Sequence, residues 1–272
     1  MTEQRLRAIA SGLGYRTAAI NMVTPAVAFE VVECTIASTH AALRAGTISS
    51  VGLVEAYLRR IGAYNGMAVH MPTGYLGSAV PIADCGQLNA LCTLNLRPAA
   101  RQAWGFDARK ARSLTDLDDG ATDMPDALEA AAALDRAWRE TGKLVGPLHG
   151  VVFAVKDQFD TRDMRTTGGA ATLWANDRPP CDASLVTRLR KAGAVILAKA
   201  NMGEFASGVP RSSFGGVFAN PYDTLRSPSG SSSGSGSAVA ANLVCCAIGG
   251  ESGKKTHNSA SIVRFPGPAE YV

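Results

Sequence analysis

Three short, uninterrupted apolar runs constrain this chain more than any other feature. Val151-Val-Phe-Ala-Val155, Ala194-Val-Ile-Leu-Ala198 and Val244 to Ile248 carry no alternation of polar residues. Runs of that length and texture read as strands, the first two of them buried. Between the first two, Ala183 to Lys191 reads as a helix, with Asp182 as its cap and Gly193 closing it. Strand, helix, strand in this order predicts an α/β chain with a largely parallel sheet flanked by helices.

Upstream, Cys34 to Ala45 reads as a helix. Ser49 or Ser50 caps a second, in which Leu53, Val54, Tyr57, Leu58 and Ile61 recur at helical spacing. Pro125-Asp126 opens an Ala-rich helix running to about Thr141, with Pro in its first turn. Residues 1–28 show no periodicity and read as an N-terminal arm, followed by one domain over 29–272. Within it, 66–124 lose the pattern and read as insertions or a loop, unusually long for a compact domain.

Composition excludes several functions. With 46% hydrophobic and 18% charged residues, the 272-residue chain is not generally disordered. A scattered net charge of +4 and 6% aromatics predict no nucleic-acid partner. No apolar stretch approaches the ~20 residues of a membrane span, and no apolar h-region marks a secretory signal, so a cytoplasmic location is expected. Six cysteines without C-x-x-C spacing read as free thiols, with no metal and no cofactor expected.

Two features carry chemistry. Pro228-Ser-Gly-Ser-Ser-Ser-Gly-Ser-Gly-Ser237 runs into Ala238-Val-Ala-Ala-Asn242, the expected start of a helix. Its hydroxyls and backbone N–H groups can hold an anion or a developing oxyanion. Composition alone favours a flexible linker, but the apolar runs on both sides argue against one, because a linker does not interrupt a strand-helix pattern. No G-K-[ST] ends the loop, which excludes a P-loop. Lys156 ends the first apolar run. Desolvated there, it can serve as a base; from an ordinary pKa of ~10.4 that needs a drop of about three units, or about 4 kcal/mol. Alternatively it reaches water and pairs with Asp157.

Together these segments resemble the amidase signature family. Gly146-Pro-Leu-His-Gly-Val-Val-Phe-Ala-Val-Lys-Asp157 is similar to its lysine motif, followed by Thr166-Thr-Gly-Gly169. Ala192-Gly-Ala-Val-Ile-Leu-Ala-Lys-Ala-Asn-Met-Gly-Glu-Phe205, Asn220-Pro-Tyr-Asp223 and Ser229-Gly-Ser-Ser-Ser-Gly-Ser235 resemble its next blocks. Glu33-Cys-Thr-Ile36 and Tyr57-Leu-Arg-Arg-Ile-Gly-Ala-Tyr-Asn65 fit as well. The resemblance implies the amidase-signature fold and metal-free hydrolysis of a small-molecule amide by a Ser–cis-Ser–Lys triad. By motif position Lys156 is the base and Ser231 the cis-serine that relays the proton. Ser232, Thr166 and Thr167 support them. Glu204 is expected to satisfy backbone donors and His149 to serve a turn.

The nucleophile segment departs from the family pattern. Gly249-Gly-Glu-Ser252-Gly253 follows it, with Ser252 and Gly253 in the oxyanion turn. Lys254-Lys-Thr-His-Asn-Ser-Ala260 then intervenes, and Lys255 occupies the serine's place. Ser261 resembles the displaced nucleophile, thirty residues after Ser231 and six too many. Residues 254–272 read as a divergent tail, and the chain as an incomplete copy with its C-terminal part missing. Weak or absent activity is expected; the alternative is a non-catalytic protein binding an amide-like ligand or a partner. Gly253-Lys254 can be encoded GGTAAG and Gly66-Met67 GGTATG, both splice-donor forms, while Ala83-Asp84 can carry an acceptor CAG. Translated intron and natural insertion are the two readings of these departures.

Overall fold

The computed structural model describes residues 29–250, apart from 71, 74–77 and 84. Helix α1 (Ile36–Ala45) is opened by a reciprocal Thr35–Ser38 capping box and closed by Gly46 at φ +67°. Ser49 caps α2 (Ser50–Tyr64), accepting from Gly52 N at 3.0 Å. The apolar stripe predicted for α2 is its buried face. Asp135 reaches across from α4 (Ala127–Thr141) and takes two more first-turn donors of α2, Ser50 N at 2.7 Å and Val51 N at 3.1 Å. One carboxylate thus satisfies N–H groups that the helix itself cannot.

The main sheet has the order β3-β5-β4-β8, with β3 (Leu91–Leu94), β4 (Val152–Lys156), β5 (Val195–Ala200) and β8 (Cys246–Ile248). β4 runs parallel to both β5 and β8, and β3 is antiparallel to β5. The sheet is therefore mixed and largely parallel, as expected. Every residue of β3, β4 and β5 is buried, which is why their sequences do not alternate. One face packs Val152, Ala154 and Leu197 against Leu53, Val54 and Leu58 of α2. The other packs Phe153, Val155 and Ile196 against Val186 and Leu189 of α5 (Ser184–Lys191). Each fully buried Val, Leu or Phe contributes about 1.5–3 kcal/mol.

Several expectations change. Residues 66–124 hold a hairpin of β1 (Val69–His70) with β2 (Val80–Pro81), the edge strand β3, helix α3 (Pro98–Ala103) and a 3-10 turn at Ala108–Lys110. β3 escapes a local reading because its partner β5 lies a hundred residues downstream. Asp126, not Pro125, begins α4: it forms a capping box with Glu129, leaving Pro125 outside the helix. Asp182 does not cap α5, whose N-cap is Ala183 without a side-chain bond. Its carboxylate instead accepts from Arg162 N at 2.8 Å and Arg190 Nε at 3.0 Å, and the charge-assisted bond is the stronger one.

The Ser/Gly stretch is not a linker. Helix α6 (Ser233–Ala240) starts inside it, five residues before the expected start. A Cβ on Gly234 would lie 2.4 Å from the carbonyl oxygens of Ala90 and Asn201, so close packing on the sheet demands glycine there. A small hairpin of β6 (Arg211–Ser212) and β7 (Gly216–Val217) precedes it. All six cysteines are free.

Candidate functional site

In a parallel sheet, side chains at the carboxyl ends of adjacent strands converge on one edge. Lys156 is the last residue of β4, flanked by parallel strands on both sides. Its relative exposure is 1%, and its Nζ donates to Ser231 Oγ at 2.7 Å; Ser231 is 2% exposed. The two residues singled out in separate motifs, 75 positions apart, therefore meet in the interior. Ser231 follows a cis Gly230–Ser231 peptide. A Cβ on Gly230 would lie 2.6 Å from Gly208 O, so the loop passes where no side chain fits. Ser231 O accepts from Gly203 N at 3.1 Å, tying the loop to the segment after β5.

Ser232 faces the other neighbour of β4. Its hydroxyl donates to Gly250 O and accepts from Gly250 N, both at 3.2 Å. Ser235 Oγ donates to Ile248 O at 2.9 Å. These hydroxyls stitch α6 to the end of β8, where the chain leads on toward the expected oxyanion turn. Ser252, Gly253 and Ser261 lie outside the described residues, as do the N-terminal arm and the divergent tail.

Asp157 does not pair with Lys156 as the alternative reading had it. It points to a second buried lysine, Lys199 of β5, at 3.7 Å. Thr167 fixes it further, donating its hydroxyl to Oδ2 and its backbone N–H to Oδ1. Lys199 Nζ donates to Phe159 O at 2.6 Å, Thr166 Oγ1 at 2.7 Å and Thr161 Oγ1 at 3.1 Å. Thr166 and Thr167 thus hold the turn behind Lys156 through Lys199 and Asp157. Burial lowers the Lys199 pKa and raises that of Asp157, and each charge opposes the shift of the other. The sequence motifs do not single out Lys199 as a site residue. Its one signal is a lone charge inside an apolar strand, which must find a partner.

The remaining candidates are structural. Glu204 Oε2 accepts from Ser213 N at 2.7 Å. His149 is 1% exposed, and its Nδ1 accepts from Val145 N at 3.1 Å, closing the turn before β4. Among the described residues there is no cluster of three metal-ligating side chains, and no helix is long and apolar enough to cross a membrane.

Comparison with known proteins puts these motifs in context. The model of the Amidase family matches residues 118–254, half of the chain, including both Lys156 and Ser231. The chain belongs to the amidase family. Among its relatives is a glutamyl-tRNA(Gln) amidotransferase subunit of Thioalkalivibrio sulfidiphilus, 36% identical over 86% of this chain and 38% of that protein. Its counterpart in Salinispora arenicola is 47% identical over 48% of this chain and 26% of its own length. Among solved structures, the native peptide amidase of Stenotrophomonas maltophilia is 36% identical, with a TM-score of 0.62 over 84% of this chain and 38% of that one. The chain thus spans less than two fifths of the length of these family members.

Proposed function

We propose that this chain carries the lysine–serine pair of a serine amidohydrolase, acting on a small-molecule amide through an acyl-enzyme. The observation that supports it is the buried 2.7 Å bond between Lys156 Nζ and Ser231 Oγ. A serine hydroxyl is a poor nucleophile until a base takes its proton, and Ser–Lys forms of that arrangement are known. In this reading Ser231 Oγ receives the nucleophile's proton and passes its own to neutral Lys156. The freed serine oxygen adds to the amide carbonyl. Collapse breaks the C–N bond, the amine leaves with the proton returned along the same relay, and water cleaves the ester.

Ser261 is the nucleophile of this proposal, with the backbone N–H groups around Ser252 and Gly253 holding the oxyanion. The relay offers no metal a role. Ser261 lies six positions past Lys255, which occupies the place of the family's serine. A misplacement of about 1 Å can cost about a hundredfold in rate, so weak or absent turnover is expected. A serine-directed fluorophosphonate with peptide mapping tests the assignment. Labelling of Ser261, abolished by Lys156→Ala, supports it. No labelling of a chain shown folded by circular dichroism overturns Ser261 as an activated nucleophile.

A further inference from the structure

A cavity of 640 Å³ lies away from the lysine–serine pair; it opens beside β3, and neither Lys156, Ser231 nor Ser232 lines it. Its volume lies within the roughly 300–1,000 Å³ of small-molecule sites. Trp104, Phe106, Leu173 and Phe214 give it apolar walls, and Lys110 and Arg165 reach it from opposite elements; Asp107 and Arg109 also line it, but they neutralise each other in an ion pair at 2.7 Å.

Among the described residues, neither Lys110 nor Arg165 has a carboxylate partner. Arg165 is 1% exposed, yet its Nε has no hydrogen-bond partner there. Its other nitrogens meet only neutral oxygens, Asn176 Oδ1 at 3.4 Å and Arg109 O at 2.5 Å, and its guanidinium stacks 4.5 Å from the centre of the Phe214 ring. Lys110 Nζ donates to Leu91 O at 2.5 Å. Asp107 and Asp157 act on the two cations only from a distance, without an ion pair. A buried guanidinium with an idle donor is costly unless an anion completes it.

We propose that this cavity binds a monocarboxylate with an apolar body, its two oxygens held by the Arg165 fork and the Lys110 ammonium and its body against the aromatic walls. A carboxylate fits better than a phosphate because a planar two-oxygen acceptor matches a guanidinium edge and an apolar chamber disfavours a dianion. The charged and titratable neighbours of Lys110 are Cys92 on β3, Asp107 and Arg109 on its own turn, and Arg165 opposite. Burial brings the Lys110 ammonium down to about 8. A bound anion favours the protonated form, so affinity is fullest below pH 8 and falls as pH rises through it.

Isothermal titration of the full chain with 3-phenylpropanoate, its neutral amide and inorganic phosphate tests this. Saturable binding of the acid is expected, at least about tenfold tighter than that of the amide or of phosphate. It should weaken severalfold from pH 7 to pH 9.5, and lose about tenfold or more, with the pH dependence, in Lys110→Met. Arg165→Met gives a second reading wherever circular dichroism shows it folded. Equal binding of acid and amide, tighter binding of phosphate, no binding to folded wild type, or unchanged affinity in Lys110→Met each overturns the proposal.

Discussion

Lys156 and Ser231 are each ordinary residues made specific by position. A lysine buried to 1% exposure at a strand end, bonded to a serine buried to 2%, is an arrangement that surface chemistry does not produce. Both were legible because each sits in an ordered motif. Lys199 was not, since its partners come from 157–167 and only the fold assembles them. The buried histidines make a second point at this scale. Burial lowers the pKa of His149 and of His40, whose Nε2 lies 3.2 Å from His149 O. His149 Nδ1 accepts a backbone N–H, which only the neutral ring can do. The unfolded chain therefore takes up protons first as pH falls. The stability these residues contribute is complete above about 6.5 and is lost as pH drops below it through the lowered folded values. Urea denaturation should show a steeper loss between pH 7.5 and 5.5 in wild type than in His40→Gln, whereas carboxylates with lowered pKa act below this window.

The helices largely follow from their own sequences, because spacing, caps and closing glycines are local signals. What joins them is not local. Asp135→Ala should cost about 1–3 kcal/mol, since it strips the Ser50 and Val51 amides of α2 of their acceptor while removing nothing apolar. The urea midpoint of that variant against wild type measures it. The β4–β5 joint carries a larger penalty. Lys199→Met leaves Asp157 buried without its counter-charge and should destabilise by about 3–5 kcal/mol. Adding Asp157→Asn should restore part of that loss, which a double-mutant cycle reads directly. Asp182 shows why a capping residue in sequence need not cap. The Arg190 guanidinium and the Arg162 backbone amide compete for it, and they win.

At the scale of the molecule, the sheet closes around two excursions. Asn95 O accepts from Ala127 N at 2.9 Å, so the ends of 96–124 already touch. Joining Asn95 to Pro125 would turn that bond into the i to i+3 bond of a β-turn, with Pro at its favoured second position. Leu88 N likewise donates to Tyr64 O at 2.8 Å, closing the excursion that holds β1 and β2. The 96–124 excursion is nonetheless packed. Arg112 and Asp119 form a two-bond ion pair with side chains 1% and 3% exposed, and Arg178 joins it at 2.7 Å. A variant lacking 96–124 should keep a wild-type far-ultraviolet strand signal, because β3, β4, β5 and β8 all lie outside the deletion. It should lose binding of 3-phenylpropanoate, because Trp104, Phe106 and Lys110 go with it. Transcript reads across codons 66–84 and 253–254 separate natural insertion from translated intron, and uninterrupted reads exclude the latter.

The sequence by itself determined the α/β class, the strands β4, β5 and β8, helices α1, α2, α4 and α5, and the family motifs. Each depends on periodicity or on residue order within a few turns, which a linear reading resolves. Tertiary structure decided the rest: the edge strand β3, the Asp157–Lys199 pair, the early start of α6 and the cavity between Lys110 and Arg165. These rest on contacts across tens to more than a hundred residues, and burial there changes what a charge or a glycine costs. No neighbour along the chain carries that information.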